Sequence, residues 1–204
     1  MKSVFATNTR NLISALSLLS ATLISPQALS YKVPLGDYEW LPTWCRYMQS
    51  SIYKPQLPHE AAKWRAYLGH NWIHDHHYCW ALSLRMKAFK ERDKMHRDNL
   101  FKDVIQNLEY VITRSDGPRI IDPEIYYYMA ESHELRGELH LAERYYLVAL
   151  EKKPSFLRGI LKLIDFYIER KKYSQASLHL NKGLQNHPES KALARRKARL
   201  EKLQ

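Results

Sequence analysis

The densest group of reactive side chains is Gly69-His70-Asn71-Trp72-Ile73-His74-Asp75-His76-His77-Tyr78-Cys79-Trp80, which holds four of the ten histidines. If one helix begins by His70, then His70, His74 and His77 share a face at i, i+4 and i+7. Neutral imidazoles so placed suit Zn²⁺ or another transition metal, with Asp75 or Cys79 completing the set. The metal reading therefore rests on His70, His74, His76 and His77. The same face could supply axial ligands to a non-covalent haem. Covalent c-type attachment is excluded, because the chain has no CxxCH. The competing reading is that these histidines pack and hydrogen-bond beneath neighbouring tryptophans, with no cofactor, and hold the segment to the rest of the chain.

Other catalytic signatures fail on particular residues. His59-Glu60-Ala61-Ala62-Lys63 begins like HExxH but ends in lysine, so a zinc-protease helix would lack its second ligand. His133-Glu134 continues to Gly137 and fails in the same way. The six glycines stand far apart, which excludes both the dinucleotide fingerprint and the P-loop. No GxSxG is present. No nucleophile has a base and an orienting group at a recognisable spacing, so no catalytic residue is expected.

The elements that must position these groups begin with an address. The chain has 204 residues, 32 Lys+Arg against 21 Asp+Glu and a formal charge of +11. Lys2 and Arg10 precede an uncharged run, Leu12 to Ile24, and Pro26 and Ala28-Leu29-Ser30 follow. This is the layout of a secretory signal peptide over residues 1–30, the alternative being an uncleaved anchor. Removing it lowers the charge from +11 to +9, since it carries only Lys2 and Arg10. Export permits a disulfide between Cys45 and Cys79, the only pair of cysteines. Two buried thiols, or Cys79 as a metal ligand, are the alternatives.

Residues 31–81 form a distinct segment. All five tryptophans lie between Trp40 and Trp80, and four prolines break its first half into short pieces. Leu41 to Cys45 reads as a short helical start, and His59 to Leu68 as a helix with Ala62, Trp64 and Leu68 among its apolar positions.

The C-terminal half repeats itself. Ala142 aligns with Ala176, Ala149 with Gly183, and Pro154 with Pro188, each pair 34 residues apart. At the same offset Tyr126 meets Ile160, Met129 meets Leu163, Ala130 meets Ile164 and Tyr146 meets Leu180. Small residues let paired helices approach closely, Gly137 ends a first helix, and Pro154 stops a second. The period and the small-residue pattern resemble the tetratricopeptide repeat, with units at 123–156 and 157–190. A degenerate pair over 73–122 precedes them, with a first helix from Ile73 to about Lys94 and a second with Lys102 to Thr113 as its body. Residues 191–204 form a basic amphipathic helix. It reads as a solenoid cap, the alternative being contact with an anionic surface such as lipid or polysaccharide.

The signal peptide, the Leu-Pro-Thr-Trp-Cys and His-Asp-His-His-Tyr-Cys-Trp elements and the two repeats together resemble a group of exported bacterial tetratricopeptide-repeat proteins. That resemblance implies an all-α fold: a short helical-hairpin solenoid between a Trp/His-rich N-terminal helical segment and a capping helix. It also implies a groove lined mainly by the first helix of each repeat. Mapped here, the groove residues are Glu124, Tyr127, Glu131, Glu134, Arg158, Leu161, Lys162, Asp165 and Glu169; an ordinary solvated face is the alternative. The expected function is a non-enzymatic, periplasmic scaffold that binds another envelope protein or peptide and no nucleic acid. The sequence carries no signal of oligomeric state.

Overall fold

The computed structural model describes residues 33–47 and 58–203, the side chains of 58, 70 and 71 aside. The signal-peptide segment, 1–30, lies outside the described residues. Among the described residues the structure is all-helical, with no strand. The helices are α1 (Pro58–Leu68), α2 (His76–Lys90), α3 (Lys94–Thr113), α4 (Asp122–Leu135), α5 (Leu139–Lys152), α6 (Leu157–Glu169), α7 (Tyr173–Asn186) and α8 (Lys191–Glu201). Three short 3₁₀ turns accompany them, at Leu35–Glu39, Thr43–Tyr47 and His70–His74.

Packing follows the connections. The short links α2–α3, α4–α5 and α6–α7 force each pair into a helical hairpin. Each hairpin then stacks on the next through α3–α4 and α5–α6, and α8 closes the stack against α6 and α7. The first hairpin differs from its expected bounds. Lys90 ends α2, Glu91 is extended, and the Asp93 carboxylate accepts the His96 N–H at 2.8 Å. That N-cap starts α3 at Lys94, eight residues before the expected body of the helix.

The last two hairpins share local geometry. α7 begins and ends 34 residues after α5. The turn after α4 places Gly137 at φ 81°, where the Glu138 N–H donates to the His133 carbonyl at 2.8 Å. The turn after α6 places Lys171 at φ 56°, and the Lys172 N–H donates to the Tyr167 carbonyl at 2.9 Å. Both turns close their helix with a left-handed residue, which glycine adopts without strain and lysine does not.

One apolar core runs through α4 to α8. Ala130, Ala142, Tyr146, Ala149, Ile160, Leu163, Ile164, Phe166, Ala176, Leu180 and Leu193 are all buried in it. Gly183 sits where α7 meets both α6 and α8. A methyl group there would stand 2.8 Å from Ile160 Cγ2 and 3.2 Å from Leu193 Cδ2.

The N-terminal segment is tied to α2. Cys45 and Cys79 form a disulfide, and both are fully buried. Trp44 stacks on Tyr78 with ring centroids 5.5 Å apart, and Ser83 hydrogen-bonds Asp37. Val33, Tyr38 and Leu41 are buried here. The tryptophans do not gather into one cluster: Trp44 is buried, Trp64, Trp72 and Trp80 are half-buried, and Trp40 is 78% exposed. No helix among the described residues is long and apolar enough to cross a membrane.

Candidate partner-binding groove

The expected groove residues fall on α4 and α6, and the structure divides them by role. Tyr127, Arg158, Leu161, Lys162 and Asp165 line one open hollow of about 540 Å³, together with Leu157 and Arg196. Glu124, Glu131 and Glu134 are not in its lining; they are counterions around it. Glu169 stands at the end of α6, 3.7 Å from Arg170. Tyr127 is only 7% exposed, so it forms the floor of the hollow.

Helix periodicity places these groups. Leu157, Leu161 and Asp165 recur every four residues and share a face of α6, as do Arg158, Lys162 and Asp165. The opposite stripe, Ile160, Leu163, Ile164 and Tyr167, is buried in the core. α6 therefore presents cations and leucines outward because its other face is committed to α5 and α7.

The charges are paired in a ladder along the groove. Glu124 accepts the Tyr78 hydroxyl at 2.6 Å and lies 3.5 Å from Arg158. Glu131 takes a forked pair of bonds from Arg85. Glu134 accepts Tyr146 Oη at 2.7 Å and lies 3.1 Å from Lys162 and 3.4 Å from Arg170. Asp165 pairs with Arg196 and lies 3.7 Å from Arg199. Burial pushes the Tyr127 hydroxyl up to about 12, and the Glu131 charge adds to the effect. Burial and the Glu134 charge likewise hold Tyr146 in its neutral, donating form.

Two lining residues were missed by sequence reasoning, Leu157 and Arg196. Arg196 lies on the basic C-terminal helix, yet it stands 34 positions after Lys162, and α8 begins 34 positions after α6. Carrying the repeat register one period further would have found it. Its guanidinium donates to the Leu161 and Ala192 carbonyls, each at 3.2 Å, and to Asp165.

The histidine segment does not form the face that a single helix would give. The chain turns as a 3₁₀ helix over His70–His74, pauses at Asp75, and begins α2 only at His76. The His70 side chain lies outside the described residues. His74 packs edge-on to Tyr110 at 5.8 Å. His76 Nδ1 is 2.6 Å from the Ile73 carbonyl, and the ring meets Trp80 at 4.7 Å. His77 Nδ1 is 2.7 Å from Asn107 Oδ1, and the ring stacks on Tyr110 at 3.8 Å. Burial pushes His77 down to about 4, against the Asn107 hydrogen bond. Cys79 is spent in the disulfide and offers no thiolate. Among the described residues no three His, Cys, Asp or Glu side chains converge as a metal site would require.

Asp75 stands between the 3₁₀ turn and α2, and its burial was not foreseen from the sequence. It is fully buried, neither carboxylate oxygen has a hydrogen-bond partner, and Arg119 Nη1 is 3.7 Å away. Burial pushes its carboxyl up to about 7; Arg119 opposes the shift and Asp122 adds to it.

Compared with known proteins, the chain matches no family model and no curated protein. Its class rests on the fold: an all-α protein of stacked helical hairpins, disulfide-bonded at its N-terminal end.

Proposed function

We propose that this protein is an exported, non-catalytic scaffold of tetratricopeptide type, which binds another protein of the bacterial envelope in the groove of α4, α6 and α8. One observation carries the reading. The first helices of successive hairpins bring Tyr127, Leu157, Leu161 and Lys162 to a single open hollow, joined by Arg196 from α8. Pockets of a few hundred Å³ with an apolar floor and a few placed polar groups are the usual form of a binding site. The repeat reading is supported by the 34-residue offset of α5 and α7, by the matching turns, and by small residues Ala142, Ala149, Ala176 and Gly183 at the helix crossings. A buried disulfide fits an oxidising compartment such as the periplasm.

Photo-crosslinking in the native compartment tests this. A crosslinking side chain at Leu161, in the hollow, should capture a discrete envelope protein. The same group at exposed Leu178, on α7 and outside the hollow, should not. Identical adducts from both positions, or none from Leu161, would rule the groove out.

A further inference from the structure

We propose that the segment seated in this groove is an acidic peptide, with Asp or Glu side chains flanking a large apolar one. The inference rests on the groove reading and adds the chemistry of the partner.

Three cations, Arg158, Lys162 and Arg196, line the hollow against one acid, Asp165. The wider ladder keeps the excess. Glu124, Glu131, Glu134, Asp165 and Glu169 face Arg85, Arg158, Lys162, Arg170, Arg196 and Arg199, so one positive charge remains uncompensated.

Depth adds to the count. The Lys162 side chain is 30% exposed above Glu134 at 11%, and Arg199 is 52% exposed above Asp165 at 23%. Lys162 and Arg158 are each more exposed than the acid they pair with, so an incoming ligand meets them first, whereas Arg196 and Asp165 are exposed alike. A concave wall of one sign concentrates ligands of the other.

The cations are also held in place before any ligand arrives. Arg158 lies over the rings of Tyr127, Tyr128 and Phe156, with centroid distances of 4.8, 5.1 and 5.5 Å. Arg196 is held by two carbonyls and a carboxylate. Side chains already ordered lose little entropy when a ligand binds them. Lys162 has three donors and stands 3.1 Å from one carboxylate oxygen, that of Glu134, which leaves it able to take a second carboxylate. Between the cations, Leu157, Leu161 and Tyr127 form an apolar floor. A ligand that satisfies both features alternates acid and apolar side chains. A neutral apolar segment would leave the cationic rim desolvated without new partners, which costs affinity.

The test uses the full chain made in an oxidising compartment and fluorescein-labelled, end-blocked nine-residue peptides. One peptide interleaves Asp and Glu with Leu and Phe. A second replaces each acid by Asn or Gln, and a third by Lys. Vesicles of phosphatidylglycerol form a further arm. The acidic peptide should bind about tenfold more tightly than the neutral one, and more weakly as salt rises. Lys162→Met should abolish most of that preference, and Leu161→Ser should weaken both peptides; circular dichroism confirms that each variant folds. Equal binding of the neutral peptide, lost in Leu161→Ser, would keep the groove and overturn the acidic partner. The absence of any Leu161-dependent peptide binding would overturn both. Binding confined to vesicles would overturn the proposal in favour of a membrane surface.

Discussion

Asp75 shows how one residue can bear on stability far from the groove. Its carboxylate is buried at the start of α2 with no hydrogen bond, beside Arg119, which is itself engaged with Asp122, Ser115 and the Val111 carbonyl. Because its folded pKa, about 7, stands above the ordinary 3.8, the native state binds this proton more tightly than the unfolded chain. Its contribution is complete below pH 3.8 and is lost as pH rises through about 7. His77 works in the opposite sense. Its pKa is depressed from 6.5 to about 4, so its contribution is present above 6.5 and lost as pH falls through about 4. Between pH 5 and 6.5 the two contributions offset one another, so urea midpoints should change little in the native chain there and rise with pH in Asp75→Asn, where only the histidine titration remains. Parallel profiles for the two proteins would refute the assignment. The histidine motif offered Asp75 as a metal ligand and gave no sign of its burial, which follows from the 3₁₀ turn that replaces the expected helix and from Arg119 folding back across the α3–α4 link.

At the scale of elements, the two matched turns make the sharpest comparison. Gly137 and Lys171 occupy equivalent positions with the same left-handed backbone, but only lysine carries a Cβ. The left-handed region costs a residue with a Cβ roughly 1–2 kcal/mol. Lys171→Gly should thus raise stability by about 1 kcal/mol, less the entropy glycine gains in the unfolded chain, read as a higher denaturation midpoint. An unchanged or lower midpoint would mean that the strain is relieved elsewhere. Both hairpins were legible in the sequence, because a core stripe every three or four residues and a stop signal every 34 are local properties. The α2–α3 hairpin was less so. Asp93 caps α3, and the 3₁₀ turn ends at Asp75, so both boundaries moved by several residues relative to the periodic pattern.

At the scale of the molecule, the N-terminal segment is held to α2 by one covalent link and a few side chains. The disulfide closes a sequence separation of 34 residues. In the chain-entropy model such a loop contributes about 4 kcal/mol. The double variant Cys45→Ser, Cys79→Ser should lose a comparable amount in urea denaturation, and residues 33–47 should lose hydrogen-exchange protection before α4 to α8 do. Equal stability and protection with and without the bond would show that Trp44, Tyr38 and Val33 hold the segment unaided. The amino-acid sequence by itself determined the all-α class, the two C-terminal hairpins, the pairing of Cys45 with Cys79 once oxidised, and the α6 face that carries Arg158, Leu161, Lys162 and Asp165. These are set by periodicity along the chain and by there being one partner for each cysteine. Only the tertiary structure decided that Tyr127 is floor and not rim, that the groove acids are already paired, that Arg196 of α8 completes the hollow, and that His76 and His77, with rings 4.4 Å apart, are engaged by the Ile73 carbonyl and Asn107. Each of those depends on which side chains distant segments bring within a few ångströms, and spacing along one helix does not encode that.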